Sequence, residues 1–243
     1  MNALRLAFAE LQWRALRVRR GHCPLCGGRL FVRISTDLLG TRCLRCRASP
    51  ISTAIGRVLL DRVPDLGSRR VLELSSRGPF FEFLVRRVQQ LTFCEYFDDV
   101  APGDHRDGVQ CQDVQRLSYP GASFDLVTCT EVFEHVPDDR RGFAEVRRVL
   151  APGGLFVFTV PLHDAAVTRE RARLQNGELH HIEPPVHHDD RIRGAGRVLV
   201  YRDYGSDVST RLEEAGFGSA EIVAVPDAAN GETTANVIVA QRP

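Results

Sequence analysis

Four of the seven cysteines fall in two pairs with the spacing Cys23-x2-Cys26-x16-Cys43-x2-Cys46. Each pair makes a tight turn that aims two sulfurs at one point, and two such pairs at this spacing can close a tetrahedral thiolate shell around Zn²⁺. Four thiolates leave no open coordination position. The expected metal is therefore structural, and it adds folding free energy to a segment too short to build a core of its own. Arg29, Arg33, Arg42, Arg45 and Arg47 surround the cysteines, so the module either braces its neighbours or presents an anion-binding face. The other cysteines, Cys94, Cys111 and Cys129, lie singly in or beside apolar runs, as small buried thiols do. This is the usage of a reducing compartment and not a disulfide framework.

Histidine is the side chain suited to take a proton near neutral pH. His135 follows an apolar run, while His180, His181, His187 and His188 crowd a polar stretch rich in prolines and charges. His135, His180 and His181 are the candidate catalytic bases. Together with Glu183, Asp189 and Asp190, the loop histidines could also gather a second divalent cation, but adjacent residues in an irregular loop seldom converge, and hydrogen bonding to a substrate is their expected role. All 32 basic residues are arginine, which excludes a lysine Schiff base or lysine base.

These residues need elements to hold them. Leu4, Phe8, Leu11, Ala15 and Val18 stand at helical spacing and predict a basic amphipathic helix within residues 1–20. Residues 21–50 form a small zinc-ribbon-like module in which the alternation of residues 30–34 predicts one strand. From residue 69 strand and helix alternate: Val71–Leu74, a helix with Phe81, Leu84, Val85 and Val88 on one face, Leu91–Cys94, Phe124–Cys129, a helix capped by Asp138 and bearing Phe143, Val146 and Val149, then Leu155–Val160. Such alternation implies βαβ units and a parallel sheet. Residues 162–204 break the rhythm and are too long for a connector, so a lid or substrate-binding loop is expected there. A helix closed by Gly216 and two strands, 219–225 and 235–240, complete the chain.

The segment 69–160 resembles the small class I S-adenosylmethionine (SAM)-dependent methyltransferases grouped as type 11. Val71-Leu72-Glu73-Leu74-Ser75-Ser76-Arg77-Gly78-Pro79 is similar to the family's first motif, an acid-ended strand turning into a helix, although Ser75, Arg77 and Pro79 stand where that motif has glycines. Glu95, at the end of the next strand after Glu73, matches the acid that binds the ribose hydroxyls, and Gln112-Asp113-Val114 matches the adenine-binding element. The run from Ser123 through Thr130-Glu131-Val132-Phe133-Glu134-His135 to Val136 resembles the fourth strand and its turn, and Leu150-Ala151-Pro152-Gly153-Gly154 the turn before the fifth. The resemblance implies a Rossmann-like α/β fold, a seven-stranded sheet with helices on both faces and its last strand antiparallel, over residues 51–243. It also implies SAM binding by Glu73, Ser75, Gly78, Glu95, Asp113, Val114, Thr130 and Glu131.

The function expected from this set is methyl transfer to the oxygen or nitrogen of a small-molecule or sugar-like acceptor. Two alternatives stand beside it. Residues 1–57 hold 11 arginines against Glu10 and Asp37, while the rest of the chain is net acidic within a total of +1, so a ribosomal or other RNA is a second acceptor class. The altered glycine turn also suits a non-catalytic SAM-fold binding protein. No apolar stretch approaches the roughly 18 residues of a membrane span, and a cytoplasmic protein is expected. Oligomeric state is not legible.

Overall fold

The computed structural model describes residues 16–35, 40–190, 196–229, 231 and 234–243, which divide into two compact units. The smaller comprises Met1–Leu66, Arg77–Arg87 and Ala224–Val237. Its three-stranded antiparallel sheet joins β1 (Arg17–Arg20), β2 (Leu30–Arg33) and β3 (Thr41–Cys43) in chain order. Most of the expected N-terminal helix lies outside the described residues, but its end is corrected. Arg17–Arg20 is a strand in register with Arg33–Leu30, because a backbone ladder with β2 satisfies the donors and acceptors that a frayed helix end would leave open.

A helix not foreseen from the sequence follows, α1 (Pro50–Arg62). Ser49 caps it by accepting from the Ser52 amide at 3.3 Å, and Pro50 occupies the first turn, where its missing N–H costs nothing. Ile55, Val58 and Leu59 are buried, and a Cβ on Gly56 would collide with Leu25 Cδ2. A larger residue there would force Leu25, in the first cysteine turn, to repack. α2 (Pro79–Arg87) buries Phe80, Phe83 and Leu84, while Val85 is 53% exposed. The buried stripe is thus rotated about one residue from the predicted face.

The central sheet is mixed and eight-stranded. Its parallel heart is β4 (Arg70–Glu73), β5 (Gln90–Glu95), β7 (Val109–Cys111), β8 (Phe124–Thr130) and β9 (Leu150–Thr159). One edge carries β6 (His105–Arg106), antiparallel to β7. Towards the other, β17 (Thr234–Gln241) runs antiparallel to β9, and β16 (Ser219–Pro226) lies beyond it. The order across the sheet is β16-β17-β9-β8-β4-β5-β7-β6, and the short β6 raises the expected seven strands to eight. The chain places β5 on one side of β4 and β8 on the other, so the strand order reverses there, which in open α/β sheets marks the ligand crevice at the strands' C-terminal ends.

Asp138 caps α3 (Asp139–Val149) as expected, accepting from the Arg141 amide at 3.0 Å. Phe143, Val146 and Val149 are fully buried, with Phe133 and Phe143 stacked at 4.6 Å and Phe156 and Phe158 at 4.2 Å. Each such ring contributes roughly 1.5–3 kcal/mol by leaving water. α4 (Val208–Glu214) ends at Gly216, whose φ of 96° closes the helix.

The segment 162–204 is not the irregular loop expected. It is a set of antiparallel pairs: β10 (Arg169–Glu170) with β15 (Arg202–Asp203), β11 (Ala172–Gln175) with β12 (Glu178–His181), and β13 (His187–Asp190) with β14 (Gly196–Leu199). Its charges pair internally, with Asp203 accepting from Arg169 at 2.6 Å and from Arg171 at 2.7 Å.

Candidate functional site

The four cysteines converge. Cys23 and Cys46 Sγ lie 3.6 Å apart, Cys26 and Cys43 Sγ 3.7 Å, and all four sulfurs lie within 4.8 Å of one another. Sulfurs bonded at about 2.3 Å to one tetrahedral ion would be about 3.8 Å apart, so the donor set fits zinc. The two turns share one geometry. Gly27 N donates to the Cys23 carbonyl and Arg47 N to the Cys43 carbonyl, with φ of 71° and 63° at the residue after each second cysteine. A Cβ at Gly28 would press within 3.0 Å of Cys43 Sγ and 3.1 Å of Cys26 Sγ.

In the larger unit, a cavity of about 430 Å³ opens at the C-terminal ends of β5, β7 and β8. Glu95, Asp113, Val114 and His135 line it, together with Val198, Leu199 and Tyr201 from the 162–204 segment. A volume of this size suits a small ligand.

Glu73 is fully buried at the end of β4, where it accepts from the Ser75 hydroxyl at 2.6 Å and from Thr128 through a short hydrogen bond. Burial pushes its carboxyl up to about 8, against the pull of those two donors. It pins the turn that follows without lining the cavity. In that turn Ser76 directs both its amide, at 2.8 Å, and its hydroxyl, at 2.9 Å, to Glu95 Oε1. Ser75, which stands where the motif has a glycine, thus anchors Glu73, and its neighbour Ser76 anchors Glu95, which lines the cavity. A carboxylate accepts about four hydrogen bonds, which fits a further role towards ribose hydroxyls. Gly78, with φ of 94° and open space where a Cβ would stand, leads into α2. Asp113 accepts from the Gln115 amide at 2.9 Å and so closes the turn after β7.

Thr130 ends β8 and Glu131 follows it. Glu131 sits at a φ of 54°, and burial raises its carboxyl to about 7. Neither lines the cavity, whereas Val132 does. His135 Nδ1 donates to the Leu199 carbonyl at 2.8 Å, which puts the lone pair of the neutral ring on Nε2. The turn that carries it is clasped by the 162–204 segment. The 2%-exposed Arg202 donates to the carbonyls of Phe133 at 3.0 Å, Val136 at 2.6 Å and Pro137 at 2.7 Å, and Tyr201 N donates to the Glu134 carbonyl at 2.8 Å.

Of the three candidate bases only His135 lines the cavity. His180 and His181 are exposed on β12, opposite Arg173 and Ala172. Residues not singled out by sequence reasoning include Glu134, Tyr201 and Arg202. Glu134 stands within the fourth-strand motif, but nothing in one sequence marks Arg202 as the clasp of a turn so far back along the chain.

Residues 72–158 match the family described as a methyltransferase domain. A ubiquinone biosynthesis O-methyltransferase of Coxiella burnetii is 40% identical over 50 residues, 21% of each chain. A malonyl-[acyl-carrier protein] O-methyltransferase of Geobacter sulfurreducens is 34% identical over 115 residues, 47% of this chain and 39% of that protein. The chain thus spans about a fifth to two fifths of these curated relatives. Among solved structures, the Burkholderia thailandensis 1,6-didemethyltoxoflavin-N1-methyltransferase superposes with a TM-score of 0.51 at 18% identity, over 79% of this chain and 78% of that one.

Proposed function

We propose that this chain transfers a methyl group from SAM to an oxygen or nitrogen of a small-molecule acceptor; the match of residues 72–158 to the methyltransferase-domain family and a fold like that of a SAM-dependent enzyme support this reading. The observation that carries the proposal is the shared cavity. The acids expected for ribose and adenine, Glu95 and Asp113, line the same space as His135 and the wall contributed by Val198, Leu199 and Tyr201. The names of the relatives point to small or carrier-bound acceptors as well.

The cofactor supplies an electrophilic sulfonium methyl, so the protein's task is chiefly one of position. Holding the attacking atom in line can supply roughly 7–11 kcal/mol of the barrier. Glu95 and Asp113 would hold the nucleoside end, while Leu199 and Tyr201 face the acceptor. His135, fixed by the Leu199 carbonyl, is the group placed to draw the proton from an attacking hydroxyl. The four-cysteine cluster would hold structural zinc, since four thiolates leave no open position for a substrate.

Calorimetry with SAM on the zinc-loaded protein tests the first half of this reading, and label transfer from SAM to a panel of phenolic, amine and sugar acceptors tests the second. Glu95→Ala should weaken SAM at least tenfold, because a charge-assisted hydrogen bond is worth about 1.5–3 kcal/mol. A folded protein that binds no SAM would overturn the assignment. Label appearing only in RNA, lost steeply with salt, would move the acceptor to the basic N-terminal module.

A further inference from the structure

Glu134 is 1% exposed, and neither of its carboxylate oxygens has a hydrogen-bond partner among the described residues. A buried acid left this way is costly, and native structures rarely tolerate one without a compensating group. Two imidazoles face it. His135 Nε2 lies 3.5 Å from Glu134 Oε1, and His188 Nδ1, on β13, lies 3.7 Å from the same oxygen. Both distances are too long for hydrogen bonds, and the three donor atoms all lie within 4.8 Å of one another. Ligand atoms around a cation bonded at about 2.0–2.2 Å sit roughly 3.0–3.5 Å apart, so a small inward movement of the partly exposed His188 would complete the set.

From this geometry we propose that Glu134, His135 and His188 form a second metal site, taking one divalent first-row transition cation at the wall of the cavity. Two imidazoles and one carboxylate on a single face are a ligand set suited to such ions, with positions left open. The donors are prepared for it. The Leu199 carbonyl holds the Nδ1 proton of His135 and so turns the Nε2 lone pair towards Glu134, an orienting contact of the kind that metal-ligating histidines make. Arg202 and Tyr201 grip the backbone of the turn bearing Glu134 and His135, so two of the three ligands are fixed before any ion arrives.

The site is shared between the sheet edge and the 162–204 segment. Binding would therefore tie β13 to the turn at residues 133–136. The role of the cation depends on the methyl-transfer reading: an acceptor hydroxyl bound at an open position would be acidified, its proton leaving to solvent water, and His135 would act as a ligand instead of a base. Binding itself does not depend on that reading.

The test is titration of Co²⁺ into protein whose four-cysteine site is already saturated with zinc, without SAM or acceptor. One equivalent of cobalt should bind, with ligand-field bands but no thiolate charge transfer. His188→Ala and Glu134→Gln should each weaken binding at least tenfold, while zinc content, circular dichroism and SAM affinity stay unchanged for His188→Ala. Absence of stoichiometric cobalt binding, bands of thiolate character only, or affinity indifferent to His188→Ala would each overturn the proposal. Cobalt binding without methyl transfer would leave the site standing and count against the function.

Discussion

Raising the pH should destabilise the fold through its buried carboxyls, and the contribution of Glu73 can be isolated. Glu73 is fully buried, and its carboxyl is raised from 4.5 to about 8 by burial. At about 1.4 kcal/mol per pH unit, that rise corresponds to about 5 kcal/mol. The sign follows from proton counting. Between about pH 4.5 and 8 the folded chain keeps a proton on Glu73 that the unfolded chain has lost, so stability falls as pH rises. The contribution is fully present below 4.5, lost progressively up to about 8, and constant above that. Glu73→Gln mimics the protonated acid in shape, and the hydroxyls of Ser75 and Thr128 can rotate to meet an amide. Urea unfolding of both proteins from about pH 4.5 to 9 isolates the effect, since other titrating groups cancel in the difference. The advantage of Glu73→Gln over the natural chain should grow with pH, by up to about 1.4 kcal/mol per unit, and level off near pH 8. Parallel stability curves would refute the assignment of a neutral, buried Glu73.

Two further outcomes are expected. Asp139 is 2% exposed and binds Arg211 at 2.8 Å and the Tyr204 hydroxyl at 2.8 Å. Asp139→Ala strands buried cations and should cost about 3–5 kcal/mol, seen as a lowered urea midpoint, whereas a change under about 1 kcal/mol would show that the network relaxes. In a His188→Ala background, which removes the second proposed site, Cys26→Ser should reduce bound zinc, measured by elemental analysis, from one equivalent to near zero and expose the cysteine module to proteolysis. Retention of a full equivalent would dissociate the cysteine cluster from zinc.

The parts legible in the sequence were those set by local pattern. The CxxC spacing places four sulfurs together because the turn geometry is carried within each pair, and it needed no distant contact to be read. Alternating apolar strands and the Asp138 cap marked the parallel sheet and α3 for the same reason, since periodicity and a side-chain cap act over a short stretch of chain. The acids Glu95 and Asp113 were singled out through the resemblance of their motifs to the type 11 methyltransferases, whose signal is also carried by short local stretches.

Other features depended on contacts between remote segments. Val18 reads as helical by spacing, yet Arg17–Arg20 pairs with β2, since a sheet edge offers hydrogen bonds that no local propensity records. Residues 162–204 looked irregular because their strands are short and their charges are satisfied across the hairpins, as Asp203 is by Arg169 and Arg171. His180 and His181 were equal rivals of His135 by residue type, and only the fold separated them, leaving two exposed on a hairpin and one lining the cavity. The meeting of Glu134 and His135 with His188, which lies several strands further along the chain, follows from the same cause. Residue types and local spacing determined which chemistry this chain can carry, while tertiary pairing decided which of those groups share one space, because distance through the fold is set by packing and not by separation along the chain.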